Sequence, residues 1–114
     1  MSLLDQSATE LVAAVQRGET TAAQLTDGFI ARIEQCNPVL NALVAERFDA
    51  ARERARALDA GAAQGPLHGL PITIKEFVAV EGLPQTGGLV ARKDHRAAQS
   101  SPLVTRLEDA GAIV

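Results

Sequence analysis

The feature that most constrains this chain is a change of pattern at Gly65. Up to about residue 60, apolar side chains recur at helical spacing between hydroxyl caps and glycine or Asn-Pro stops. From Gly65 onward the chain is punctuated by glycine and proline and turns to short β-branched runs. Helices followed by buried, strand-like segments are the signature of an α/β chain.

The helical half reads directly from its caps. Ser7-Ala8-Thr9-Glu10 has capping-box spacing, and Ala8, Leu11, Val12 and Val15 share one face, so a helix is expected over 7–17 with Gly18 as its stop. Thr21 with Gln24 repeats the arrangement. Leu25, Phe29, Ile33 and Cys36 form an apolar stripe, giving a helix over 21–36 that Asn37-Pro38 should end. A third helix is expected over 45–60, where charges of mixed sign alternate with alanine as on a solvated face with local ion pairs. In the second half, Pro71 to Lys75 reads as a strand. Ser101-Pro102 opens a helix over 101–110, and Gly111 ends it before Ala112-Ile113-Val114. That apolar triplet resembles the start of a buried strand, which predicts a sheet completed by further sequence or by another chain.

Composition narrows the function classes. The 114 residues carry 11 basic and 14 acidic side chains, a net charge of −3 without a basic tract, which argues against nucleic-acid binding. No apolar run approaches the length of a membrane span. The N-terminus has no basic-then-apolar leader and Cys36 is the single cysteine, so a reducing, cytoplasmic setting is expected. Alanine occurs 21 times against three Phe and no Trp or Tyr, so the core is built from small side chains. Only two of the basic residues are lysines, which makes a lysine inside an apolar segment notable.

That lysine is Lys75, at the carboxyl end of the expected strand, where open α/β sheets collect their active sites. Shielded from water, it would have a lowered pKa and could act as a base at neutral pH. The alternative is a strand-edge lysine whose head reaches solvent or pairs with Glu76. His68 and His95 have no other ligands at metal spacing, and no metal or cofactor is expected. Cys36 lies on the apolar stripe and reads as packing rather than as a nucleophile. Ser101 reads as a cap, and Ser100 has no base beside it. Thr86-Gly87-Gly88 could offer backbone amides to an anion, or form a plain turn.

Gly65-Pro-Leu-His-Gly-Leu-Pro-Ile-Thr-Ile-Lys75-Glu-Phe resembles the lysine-bearing segment of the amidase signature family. Val80-Glu81-Gly82-Leu83-Pro84-Gln85-Thr86-Gly87-Gly88 is similar to the segment that follows in that family, as is Ser101-Pro102-Leu103-Val104 with Arg106-Leu107 and Ala110-Gly111-Ala112-Ile113-Val114. The likeness covers nearly all of the chain. It implies an α/β/α fold with a large mixed sheet. Residues 1–114 would be the N-terminal part of a single amidase domain: a helical region over 1–62 and, over 65–114, the start of the sheet, truncated before completion.

The resemblance also implies amide hydrolysis by a Ser–cis-Ser–Lys triad, with Lys75 as its base. Both triad serines fall beyond residue 114 in the family pattern, and none of Ser2, Ser7, Ser100 and Ser101 matches them. The expected partners are a small-molecule amide and a second copy through the N-terminal helices, with no nucleic acid and no membrane. Two alternatives stay open: a non-catalytic helical interaction module, and part of the A chain of a glutamyl- or aspartyl-tRNA amidotransferase.

Overall fold

A computed structural model of the protein describes residues 2–114. Three of the four α-helices among the described residues start at a hydroxyl that accepts a hydrogen bond from an amide of the first turn. Helix α1, Ala8–Gln16, begins at a reciprocal capping box: the Ser7 hydroxyl accepts from the Glu10 amide (3.3 Å) and the Glu10 carboxylate accepts from the Ser7 amide (2.8 Å). Helix α2, Ala22–Leu40, has the same device in Thr21 and Gln24. Helix α3, Phe48–Ala60, has no side-chain cap, and helix α4, Pro102–Asp109, starts with Ser101 as cap and proline at its first position.

Helix α2 runs past its expected end, through Pro38 to Leu40. A proline this close to a C-terminus disturbs only one intrahelical bond. The end is fixed instead by Asn41, whose left-handed backbone lets its amide donate to the Asn37 carbonyl (2.7 Å). The Asn37 side chain then binds both the amide and the carbonyl of Leu43 (2.8 and 2.9 Å).

Helices α2 and α3 lie antiparallel. Asp59, near the end of α3, accepts from the Ala22 and Ala23 amides at the start of α2 (2.8 and 2.9 Å), and Arg52 pairs with Asp27 across the seam (2.8 Å). The seam is alanine-rich: Ala22, Ala51 and Ala55 pack with Leu58 and Ile113, small side chains that allow close approach. A second cluster joins Leu11, Val12 and Leu25 to Leu70. Ile113 and Leu70 both come from beyond Gly65, so the two halves of the sequence share their cores.

The expected α/β arrangement is not what forms. Among the described residues there are four α-helices and two short 3₁₀ turns, Leu3–Asp5 and Val90–Arg92, with no strand and no sheet. Residues 71–75, expected as a strand, make a single parallel bridge from Pro71 to Ile113. It is held by the Ile72 amide on the Ile113 carbonyl (2.8 Å) and the Ile113 amide on the Leu70 carbonyl (2.9 Å). β-Branched residues favour an extended backbone, but a strand needs a ladder partner along its length. Ile113 and its neighbours serve only the first residues. By Lys75 the backbone has already turned, its carbonyl accepting from the Val78 amide (2.9 Å).

The loop leading to Lys75 is locked onto the end of α4. Gly111 has φ +100°, and a Cβ there would lie 2.1 Å from the Gln64 carbonyl oxygen and 2.6 Å from His68 Cα. In that crossing the Leu67 amide donates to Ala110 (2.8 Å) and the Gly69 amide to Gly111 (2.9 Å). Only glycine combines this backbone conformation with such an approach.

Candidate functional site

Lys75 follows the bridged residues and begins the turn that carries the chain to Val78. It is exposed, which corrects the expectation of a lysine shielded along its stem. The chain packs against this run through Leu70 and Ile113, and Thr73 and Lys75 lie beyond that contact. The alternative of a Lys75–Glu76 pair is not realised either. Among the described residues the Lys75 ammonium has no ion-pair partner, and the Glu76 carboxylate is engaged elsewhere.

The carboxylate of Glu76 reaches across to residues 86–88. It accepts from the Thr86 amide (2.6 Å) and the Gly87 amide (2.9 Å), while the Thr86 hydroxyl accepts from the Gly88 amide (3.1 Å). The anion that suits Thr86-Gly87-Gly88 is thus a side chain of the same protein. Hydrogen bonding from the Thr86 side chain, then from the Thr86 and Gly87 amides, together with the Arg92 charge, holds the Glu76 carboxyl below the usual carboxylate value. A second tether runs from the Gln85 side-chain amide to the Phe77 carbonyl (3.0 Å). The loop is closed by backbone bonds from Gly82 to Ala97, Ala97 to Leu83 and Gln85 to His95. Lys75 therefore directly precedes a two-point attachment between residues 76–77 and 85–87.

The remaining candidates have other duties. His68 is buried, and its Nδ1 accepts from the Gln64 amide (2.9 Å), which ties the loop to itself. His95 is exposed. Cys36 is half-buried and unpaired. Ser101 caps α4, and the Ser100 hydroxyl accepts from the Glu81 amide (3.0 Å). Among the described residues no group of acidic, histidine or cysteine side chains is arranged to hold a metal. A shallow, open cleft lies beside Asn37, Pro38 and Phe48, and Lys75 is not part of its wall. Sequence reasoning placed Glu76 only as a possible partner of Lys75 and missed its bond to Thr86 and Gly87. The signal was an acid placed ten residues before a Thr-Gly-Gly turn whose amides need an acceptor.

The family model described as Amidase matches residues 24–114. The chain is 36% identical over 122 residues to fatty-acid amide hydrolase 2-A of Danio rerio, covering 97% of this chain and 23% of that protein. It is 36% identical over 108 residues to the A chain of the glutamyl-tRNA(Gln) amidotransferase of Halorhodospira halophila, covering 92% of this chain and 22% of that one. The crystal structure of a bacterial aryl acylamidase of the amidase signature family superposes with a TM-score of 0.85 at 34% identity, over 95% of this chain and 24% of its own. The chain belongs to the amidase signature family. It spans about a quarter of the length of these relatives. No helix among the described residues is long and apolar enough to cross a membrane.

Proposed function

We propose that these residues are the lysine-bearing N-terminal portion of an enzyme that hydrolyses amide C–N bonds, with Lys75 as the base of a Ser–cis-Ser–Lys triad. The observation that carries the reading is Lys75 itself. In the segment most similar to the family's, its ammonium has no ion-pair partner among the described residues, while the neighbouring acid is spent on the Thr86–Gly87 amides. The Lys75 amine is therefore not tied to a neighbouring carboxylate and is free to meet a hydroxyl brought to it.

In the proposed reaction, neutral Lys75 takes a proton from the bridging serine as that serine takes one from the nucleophile. The nucleophilic oxygen attacks the amide carbonyl. The tetrahedral intermediate collapses as the proton returns through the same relay to the leaving nitrogen. Water then cleaves the acyl-enzyme. The two serines are assigned to sequence beyond these 114 residues, where the resemblance to the family's pattern puts them, and the serines present are engaged in local contacts. Ser2, Ser7 and Ser101 cap helical turns and Ser100 accepts from Glu81.

The test compares the 114-residue chain with an enzyme of the relatives' length that contains it, on acetamide, benzamide and 4-nitroacetanilide, reading release of ammonia or nitroaniline. Turnover by the longer enzyme and none by the short chain is expected. Turnover by the short chain overturns the assignment of the serines. A second reading, a protein that supplies ammonia for amidation of a tRNA-bound amino acid, is favoured by the likeness to the amidotransferase chain. Glutamine consumption that rises only in the presence of charged tRNA would select it. Pairing of two copies through α1 to α3 is a further proposal, read out by sedimentation of the purified chain.

A further inference from the structure

Resting on the assignment of Lys75 as the base, we propose that Glu76 is the positioning residue of this site: its carboxylate, gripped by the Thr86 and Gly87 amides, fixes residues 85–88 against the backbone that carries Lys75. The geometry is specific. Two oxygens of one carboxylate meet two consecutive amides at 2.6 and 2.9 Å, and the Gln85 side chain adds a parallel tie to the next residue, Phe77 (3.0 Å). Lys75 has no such anchor for its side chain; its backbone is held by the bridge at residues 71–72, by the Val78 amide on its carbonyl (2.9 Å) and by the attachment at residue 76. The glycines contribute freedom and not bulk. Gly87 and Gly88 have φ of +61° and +76° with nothing within 4 Å of an added Cβ, so at residues 86–87 the Glu76 carboxylate is the side chain that ties the turn to the Lys75 segment. The positive charge of Arg92, whose guanidinium donates to the Gln85 carbonyl (3.2 Å), also favours the ionised, accepting form.

The chemistry separates the possible substitutions. Aspartate keeps both acceptor oxygens on a stem one methylene shorter. Glutamine keeps one acceptor and turns an NH₂ donor against an amide donor. Alanine removes both acceptors. The test has two parts. In the full 114-residue chain, amide hydrogen exchange and proton shifts of Thr86 and Gly87 are followed by NMR. In the longer enzyme, kcat and KM on 4-nitroacetanilide are measured for Glu76→Ala, Glu76→Gln, Glu76→Asp and Lys75→Ala.

Glu76→Ala and Glu76→Gln are expected to lose protection at Thr86 and Gly87 and to lower kcat by about a hundredfold with KM little changed, as a misplaced catalytic group does. Glu76→Asp is expected to restore much of both. The amide shifts should move with acid in the wild type and stay still in Glu76→Gln. Unchanged exchange in Glu76→Ala, or a wild-type kcat in that variant, overturns the inference. Undiminished turnover by Lys75→Ala instead overturns the assignment of the base, while the exchange data still decide whether the clamp exists.

Discussion

Alanine at position 111 tests the packing that delivers the Lys75 loop. A Cβ there would sit 2.1 Å from the Gln64 carbonyl oxygen, so the loop has to retreat by more than an ångström to reach ordinary contact. Retreat breaks the Gly69–Gly111 and Leu67–Ala110 hydrogen bonds, each worth about 1 kcal/mol. The left-handed backbone at φ +100° adds about 1–2 kcal/mol of strain for a residue with a side chain. The expected loss is about 3–4 kcal/mol, a large share of the stability of a chain this size. Gly18→Ala is the control, because Gly18 has φ +71° and nothing within 4 Å of where the added methyl would sit, leaving strain alone at about 1–2 kcal/mol. Urea unfolding followed by circular dichroism should place the Gly111→Ala midpoint about 1 M below that of Gly18→Ala. Equal midpoints would show that the 64–69 loop yields freely, and the close crossing would then not be what holds the loop.

Asp59→Ala removes both acceptors at the start of α2 and should cost about 1–2 kcal/mol in the same assay, with Asp59→Asn near half of that; an unchanged midpoint would remove Asp59 as a cap. Glu10, held low by the Ser7 hydroxyl and amide, and Glu76, held low chiefly by Thr86, should both lose their contribution in acid. A carboxylate depressed in the folded state stabilises fully above its unfolded value of about 4.5 and ceases to do so as pH falls through the lower folded value. Ser7→Ala should therefore flatten the acid limb of α1 melting, measured by NMR at Ala8 to Leu11, and should cost about 1 kcal/mol at neutral pH.

The helices were legible because their signals are local. Ser7, Thr21 and Ser101 each act within three residues, and the structure places each as a cap. What decided the rest was distance along the chain. Ile72 and Ile74 are β-branched, yet their pairing depends on what lies opposite, and only Ile113 and its neighbours do so. The expectation of a sheet extended a local preference into a tertiary structure that the described residues do not form. Asn41 shows the same limit at smaller scale: the left-handed end of α2 comes three residues after the proline expected to stop it. Lys75 was visible as a residue, since lysine is scarce and this one lies in an apolar run. Its exposure was not, because exposure depends on which segments pack over it. The bond from Glu76 to Thr86 and Gly87 spans ten residues and two loops, beyond any periodic pattern.

Whether Lys75 is the base is decided most directly by kcat of the longer enzyme, with Lys75 intact and with Lys75→Ala, each first checked for an unchanged circular dichroism spectrum. A base in proton transfer contributes about 10²–10⁴ to the rate. Lys75→Ala is predicted to lower kcat on 4-nitroacetanilide within that range. A Lys75→Ala enzyme that keeps its turnover would contradict the assignment.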